Sequence, residues 1–366
     1  MKFSFGQYWK KIDWLLAVAM LLLLAVGLTE IYGVSLGRGG VSLLAFRKQI
    51  IFAAIGLTGW LALSFSDYHR WRSYANYFYG LTIVLLISVL FFGSSINGTK
   101  GWFNLFGMGI QPVELAKIVL IIYLSSFFSS RTIRTDQTKN LIKSGVATLV
   151  LMILVLLQPD FGSALLLGAI WLIYIIILGF DRKYFLWLIG FGLIATLCAW
   201  FFLFTDIQKD RIHSFVDPGH AALGQSYNIN QAMIAVGSGR VSGRGVGFGS
   251  QTQLKFLPEA QTDFIFAVIA EERGFLGTSL VLILFAIIIY KALNILPKVK
   301  DDFGSLVVVG SIGLLAIEVF VNIGMNIGIL PVVGIALPLV SYGGSSLIAN
   351  LLLLGLVNSV VVRARN

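Results

Sequence analysis

The sequence predicts an all-α polytopic membrane protein with ten transmembrane helices and both termini cytoplasmic. Three observations carry that reading. Of the 366 residues, 57% are hydrophobic and only 12% are charged, against about 25% charged in an average soluble domain. Apolar runs near the roughly 20 residues needed to cross a bilayer recur along the whole chain. The Lys and Arg residues of the short loops fall mostly on one side once those runs are threaded through a membrane.

The predicted spans are 13–33, 50–66, 74–92, 113–128, 144–157, 161–179, 184–204, 274–293, 304–325 and 344–362. The first is too long for a signal-peptide core and lacks a small-residue cleavage site, so it is expected to stay in the mature protein. With the N-terminus inside, the inner loops and termini hold sixteen Lys and Arg residues, and the short outer loops hold Arg38, Arg47, Lys48 and Lys100. This asymmetry accounts for the formal net charge of +10. The basic residues lie scattered between apolar runs, which argues against nucleic acid as a partner. The single cysteine, Cys198, excludes an intrachain disulfide and a Cys-based zinc site. No internal repeat is evident, so the whole chain reads as a single integral membrane domain.

Two segments depart from the span-and-loop pattern. Residues 205–273 form a long outer loop between the seventh and eighth spans. It carries Phe215, Tyr227, Met233, Phe248 and Leu257, so short amphipathic pieces on the membrane surface are expected in place of a linker. The run "NIGILPVVGIALPLVSYGGSS", 326–346, is apolar but broken by Pro331, Gly334, Pro338, Gly343 and Gly344. Backbone of that kind is tolerated at membrane depth only against protein or a cavity, which predicts a re-entrant wall; an ordinary loop is the alternative.

Ionisable groups near the spans mark functional candidates. "QPVELAK", 111–117, opens the fourth span from outside, with Pro112 in the first turn and Glu114 and Lys117 three apart on one face. "QPDFGS", 158–163, opens the sixth span the same way and offers Asp160. "FLPEAQTDFIFAVIAEE", 256–272, places Asp263 against an apolar run, with Thr262 as a cap, Asp263 in the first turn and Gly274 relaxing the helix. Together with Arg211 and Lys255 of the long loop, these residues converge on the outer leaflet and predict a polar cavity opening outward. A structural role competes with each: a buried ion pair for Glu114 and Lys117, a helix cap for Asp160, a helix-start acid for Asp263. Glu259, Glu271 and Glu272 read as solvated or interfacial, while Glu30 and Glu318 have no assignable partner.

The glycine-rich stretch "GSGRVSGRGVGFGS", 237–250, fits neither a dinucleotide fingerprint nor a P-loop. Its backbone N–H groups with Arg240 and Arg244 offer a weak phosphate-binding signal. His69, His213 and His220 have no metal-ligand spacing, no protein metal site is expected, and no serine or cysteine nucleophile pattern stands out. Asn97-Gly98-Thr99 matches a glycosylation sequon that is common by chance.

"QPVELAK", "QPDFGSA", "IAVGSGRVSGRGVGFGSQTQLKFLPEAQTDFIFAVIAEERGFLG" and "NIGILPVVGIALPLVSYGGSS" resemble, in order and spacing, the signatures of the SEDS family (shape, elongation, division and sporulation), whose members include RodA, FtsW and SpoVE. The likeness spans nearly the whole chain and leans toward the RodA branch; Arg273 in "EERGF" departs from a commoner Leu or Phe. The resemblance implies ten membrane helices and a peptidoglycan glycosyltransferase of the bacterial cytoplasmic membrane, polymerising lipid II at its outer face. It maps the family's essential aspartate onto Asp263, its cavity acid and lysine onto Glu114 and Lys117, its Gln-Pro-Asp acid onto Asp160 and a loop arginine onto Arg211. It also implies a class B penicillin-binding protein as partner.

The chemistry so implied, inverting transfer from a sugar diphosphate, needs one base and no enzyme nucleophile, with Asp263 as the candidate. The leaving diphosphate needs cations: Arg211, Lys117, Arg240, Arg244 or a divalent ion, magnesium or manganese, held by the diphosphate itself. No organic cofactor is expected. A division- or sporulation-type paralogue, a lipid II flippase and a non-catalytic scaffold are the competing readings.

Overall fold

The computed structural model describes residues 11–36, 43–96, 98–105, 107–130, 136–202, 209 and 225–365. Arg211, His213, Phe215, His220 and Asn97 lie outside the described residues. Twelve helices and one small sheet make up the described part. They are α1 (Trp14–Leu36), α2 (Leu43–Phe65), α3 (Tyr68–Phe92), the strands β1 (Ser94–Ile96), β2 (Thr99–Leu105) and β3 (Met108–Ile110), then α4 (Pro112–Ser129), α5 (Gln137–Leu156), α6 (Phe161–Ile177) and α7 (Arg182–Phe202). The chain continues with α8 (Gln225–Ser238), α9 (Ser250–Gln253), α10 (Ile265–Leu293), a 3₁₀ turn (Leu296–Lys298), α11 (Asp302–Asn326) and α12 (Gly344–Ala364).

Among the described residues, eight helices are long and apolar enough to cross a membrane: α1 to α5, α10, α11 and α12. The apolar helix α6 is shorter, at 17 residues. Each predicted span lies on one of these helices or on α7. Several helices start before the apolar run does: α2 takes in Arg47, Lys48 and Gln49, and α5 takes in Lys139 and Lys143. Helical hydrogen bonding needs no apolar side chain, so a helix continues past the stretch that hydropathy marks.

Caps set several of the starts. Asp67 accepts from His69 N–H at the head of α3, and Asp301 from Gly304 N–H at the head of α11. Pro112 occupies the first turn of α4, where its missing N–H costs nothing. The bundle closes through small residues. A Cβ at Gly56 or Gly59 of α2 would run into Leu351 or Leu352 of α12, and one at Gly355 into the Trp60 backbone, so α2 and α12 pack with backbones close together.

Residues 94–110 hold a structure that hydropathy does not mark. β1, β2 and β3 form an antiparallel three-stranded sheet in sequence order. Lys48 Nζ donates to the Gly107 carbonyl at 2.7 Å, and Lys100 N–H to the Gln158 carbonyl at 3.2 Å. These contacts tie the sheet to the start of α2 and to the turn between α5 and α6.

Residues 327–343 form neither helix nor strand, and Val332, Ile335, Leu337, Leu339 and Val340 are buried. A Cβ at Gly27 of α1 would lie 2.4 Å from the Val340 carbonyl oxygen, and one at Gly162 of α6 2.4 Å from that of Val333. Irregular backbone here is packed against protein, the condition under which such a segment is stable among apolar surroundings.

The long loop ends earlier than predicted. α10 begins at Ile265, not at 274, and is two pieces: Gly274 has φ 66° and ψ −161°, which breaks the helix into a half-helix, 265–273, and a longer one, 275–293. Asp263 is not in the first turn but in the turn preceding the half-helix. Thr262 does not cap it, because its hydroxyl donates to Glu259. Glu271 and Glu272 are buried, 0% and 1% exposed, and not solvated. They sit on the half-helix where the glycine-rich loop and α1 cover them, a cover invisible to hydropathy.

Candidate functional site

The Asp263 turn is held by its main chain. Asn322 and Asn326, one turn apart on α11, both donate side-chain N–H to the Asp263 carbonyl, at 3.0 and 2.9 Å. Asn326 Oδ1 accepts from Ala267 N–H at 3.0 Å. The open N-terminus of the half-helix is thus capped by a residue of another helix in place of one of its own. From the opposite side, Ser341 donates its hydroxyl to the Thr262 carbonyl at 2.6 Å, and Tyr342 N–H donates to the Gln261 carbonyl at 2.8 Å. The Asp263 carboxyl is half-buried and lies beside Gly334, where a Cβ would be 3.6 Å from Oδ2. Burial pushes the Tyr342 hydroxyl above its ordinary pKa, so this group next to the turn stays protonated.

Deeper in the bundle, Lys117 is 4% exposed. Its ammonium lies 2.9 Å from Glu114 on its own helix and 2.6 Å from Glu318 on α11. A small cavity between α4, α11 and α12 is lined by these three residues with Asn350 and apolar neighbours. Glu318, Asn322 and Asn326 follow at i, i+4 and i+8, so one face of α11 holds both Lys117 and the Asp263 turn, with about 6 Å of axis per step. Two buried carboxyls thus share one ammonium as their ion-pair partner.

Asp160 is the cap of α6: it accepts from Ser163 N–H at 2.9 Å and from the Ser163 hydroxyl at 2.8 Å. It also accepts from the Gln111 side chain at 3.0 Å, tying the start of α6 to the start of α4. Gln111 N–H donates to the Ser345 hydroxyl at 2.9 Å, and Gln49 donates to the Ser341 carbonyl at 3.0 Å. A continuous polar path therefore runs from Asp160 through Gln111 and Ser345 to the segment that holds the Asp263 turn.

The glycine-rich loop serves another end. Breaking a helix at Gly274 frees carbonyls before the break and N–H groups after it. The N–H groups of Arg244 and Gly245, read from sequence as open to phosphate, donate to the Glu271 and Glu272 carbonyls at 3.0 and 2.8 Å. The N–H groups of Phe275 and Leu276 donate to the Arg240 and Val241 carbonyls at 2.8 and 3.1 Å. The loop thus splices the break. Its glycines permit the approach: a Cβ at Gly239 would sit 1.7 Å from the Ala270 carbonyl oxygen, and Gly243, Gly245 and Gly247 all have positive φ. Arg240, Arg244 and Lys255 have exposed side chains. The spliced break at Gly274 closes the far end of the half-helix, about 13 Å along its axis from the end that carries the Asp263 turn.

Glu30 and Glu318 have the partners that the sequence did not reveal, Arg273 and Lys117. Asn322, Asn326 and Ser341 were missed altogether. Two amides spaced i, i+4 in an otherwise apolar helix were the available signal. Among the described residues, no group of three or more His, Cys, Asp or Glu is placed to hold a metal ion.

The family model described as cell cycle protein, FtsW/RodA/SpoVE, matches residues 13–366. The peptidoglycan glycosyltransferase MrdB of Escherichia coli K12 is 36% identical over 360 residues, covering 96% of this chain and 95% of MrdB. The crystal structure of the rod shape determining protein RodA of Thermus thermophilus aligns at a TM-score of 0.71 and 28% identity over 96% of both chains. A chain from a peptidoglycan synthase complex described as coordinating polymerization and crosslinking aligns at 0.80 and 29% identity, over 96% of this chain and 98% of that one. The likeness runs through nearly the whole length, and the chain belongs to the FtsW/RodA/SpoVE family of cell cycle proteins.

Proposed function

We propose that this protein is a peptidoglycan glycosyltransferase that polymerises lipid II into glycan strands in cell-wall elongation, with Asp263 as the base. The observation that carries the site assignment is the clamping of the Asp263 turn: Asn322, Asn326 and Ser341 immobilise its backbone on two sides and leave a half-buried carboxyl beside the Gly334 backbone. Catalysis rewards a carboxylate held in place before substrate arrives. Asp263 takes the proton from the acceptor sugar hydroxyl as that oxygen attacks the anomeric carbon and the polyprenyl diphosphate departs, a single displacement with inversion.

Charge neutralisation of the diphosphate is the second requirement. Lys117 is engaged by two acids, Arg240 and Arg244 sit by the helix break, and Lys255 is exposed on the loop that precedes the Asp263 turn. A magnesium or manganese ion entering with the diphosphate would supply further positive charge there. Ten spans, with Asp263, the sheet and the 327–343 segment on the outer side, complete the reading. A class B penicillin-binding protein is the partner that fits a polymerase working beside crosslinking.

A division- or sporulation-type role uses the same chemistry. A flippase needs an inward-open polar path, and a scaffold has no use for a clamped carboxylate. Purified Asp263→Ala is expected to fold and to lose glycan polymerisation from lipid II, a fall of at least ~10²-fold, the lower range for loss of a general base. Chelation of divalent ions during turnover is expected to slow the wild type. Polymerisation by well-folded Asp263→Ala ends the assignment.

A further inference from the structure

Behind the site, where the half-helix meets α1, two buried acids lie side by side and one of them is paired with a cation. Glu30 of α1 is 0% exposed and Glu272 is 1% exposed. Gly33, one turn after Glu30 on α1, gives Glu272 its resting place: a Cβ there would lie 3.1 Å from Glu272 Oε2. The two carboxyls come within hydrogen-bonding reach of each other. Arg273 pairs through Nε with one oxygen of Glu30 and donates to the Thr29 hydroxyl. The other oxygen of Glu30 and both oxygens of Glu272 are buried with no donor.

The other polar groups around the pair are committed elsewhere. Glu271, on the same half-helix, accepts from the Ser250 and Thr252 hydroxyls and the Gln251 and Thr252 N–H groups. Arg244, from the glycine-rich loop, donates its guanidinium to Ser250. The Gly247 N–H also faces Glu272, a single backbone donor beside two buried carboxyl oxygens. Two carboxylates and one guanidinium leave an uncompensated charge in a closed apolar place, and a carboxylate in that position takes up a proton in preference to staying ionised. Carboxyls in contact do so jointly, holding one proton between them.

We propose that Glu30 and Glu272 share one proton, and that this acid pair fastens the rear of the half-helix to α1 and so positions the Asp263 turn at its front. The positioning part rests on the reading of Asp263 as the base; the proton does not. With the proton in place, one carboxyl donates to the other across the α1 contact. Without it, two like charges touch, and the half-helix is pushed from α1. Because the folded pair holds a proton that the unfolded chain releases at lower pH, its contribution is present in acid and at neutral pH and is lost as pH rises.

The test uses full-length protein in lipid nanodiscs. Infrared spectra of the wild type at neutral pH are expected to show a buried protonated-carboxyl stretch that disappears on alkaline titration and is absent from Glu272→Gln. In Glu272→Gln, which keeps the shape and the donor of the protonated pair, lipid II polymerisation is expected at the wild-type rate at neutral pH. At alkaline pH the wild type should lose kcat with KM unchanged, while the variant keeps its rate. A wild-type spectrum without that band overturns the proposal without any variant having to fold. So does an alkaline profile that wild type and variant share, or a wild-type melting temperature that follows added sodium, potassium or magnesium and loses that dependence in the variant. In Asp263→Ala the band should persist, so a wrong base assignment and a wrong proton assignment give different results.

Discussion

Lys117 illustrates how little of a buried charge's role can be read from its own neighbourhood in sequence. The i, i+3 spacing to Glu114 was legible, but Glu318 stands 201 residues away and its partnership exists only because α4 and α11 pack together. Asp263 stood out because an acid against Phe-Ile-Phe is costly and needs a reason. The amides that hold it, Asn322 and Asn326, gave a weaker signal, since an uncharged side chain among apolar residues raises less suspicion. The Lys117 cluster also allows structure and catalysis to be separated. Lys117→Met leaves two carboxylates buried without their cation, and breaking a buried pair this way costs about 3–5 kcal/mol. Its melting temperature should fall steeply. In the triple variant Glu114→Gln/Lys117→Met/Glu318→Gln no charge is stranded, so thermal stability should largely return. If the cluster serves substrate, polymerisation stays lost in the triple variant; recovery of both would make it a structural ion pair only.

The glycine-rich loop was legible as an element and misread in purpose. Its glycines looked like a phosphate cradle because backbone N–H groups in series bind anions, and the competing acceptors were in another element. Those acceptors are the carbonyls freed at Gly274; the sequence marks this glycine as relaxing the helix, but not that the freed groups find their partners in the loop. The sheet of residues 94–110 escaped for a related reason: its strands are short and Asn97-Gly98, a hairpin-type dipeptide, was weighed as a sequon. Splicing makes a sharp demand on space. Gly239→Ala puts a methyl 1.7 Å from the Ala270 carbonyl oxygen, an impossible contact with main chain, whereas Gly237, two residues earlier, has nothing within 4 Å of the same position. Gly239→Ala should therefore express poorly or melt early and lose polymerisation, and Gly237→Ala should match the wild type apart from a small gain in helix propensity. Equal behaviour of the two variants in thermal melts and polymerisation assays would mean that the loop does not have to close on the break.

At the scale of the whole molecule, the polar path and the charge asymmetry make one joint prediction about sidedness. The starts of α4 and α6, the sheet, the 327–343 segment and the Asp263 turn are linked by hydrogen bonds into one end of the bundle. The start of α7, with Arg182 and Lys183, follows the far end of α6 and so belongs to the opposite end. The positive-inside rule acts on short loops like that one, so the expectation to test is Lys183 in the cytoplasm and, by connection, Thr262 outside. The membrane crossings themselves were legible because hydrocarbon demands long apolar helices, but the side on which a loop lies is set during insertion and leaves only this charge bias as a trace. The chain's single cysteine makes the test clean. In a Cys198→Ser background, single cysteines at Lys100, Thr262 and Lys183 can be probed in intact cells with a membrane-impermeant maleimide. Lys100 and Lys183 are exposed and Thr262 partly so, so each label should be reachable from its own side. Cysteines at 100 and 262 should label in intact cells, and the one at 183 only after permeabilisation. Labelling at 183 with protection at 262 would put the carboxylate on the cytosolic face, where a polymerase building wall outside the cell has no use for it.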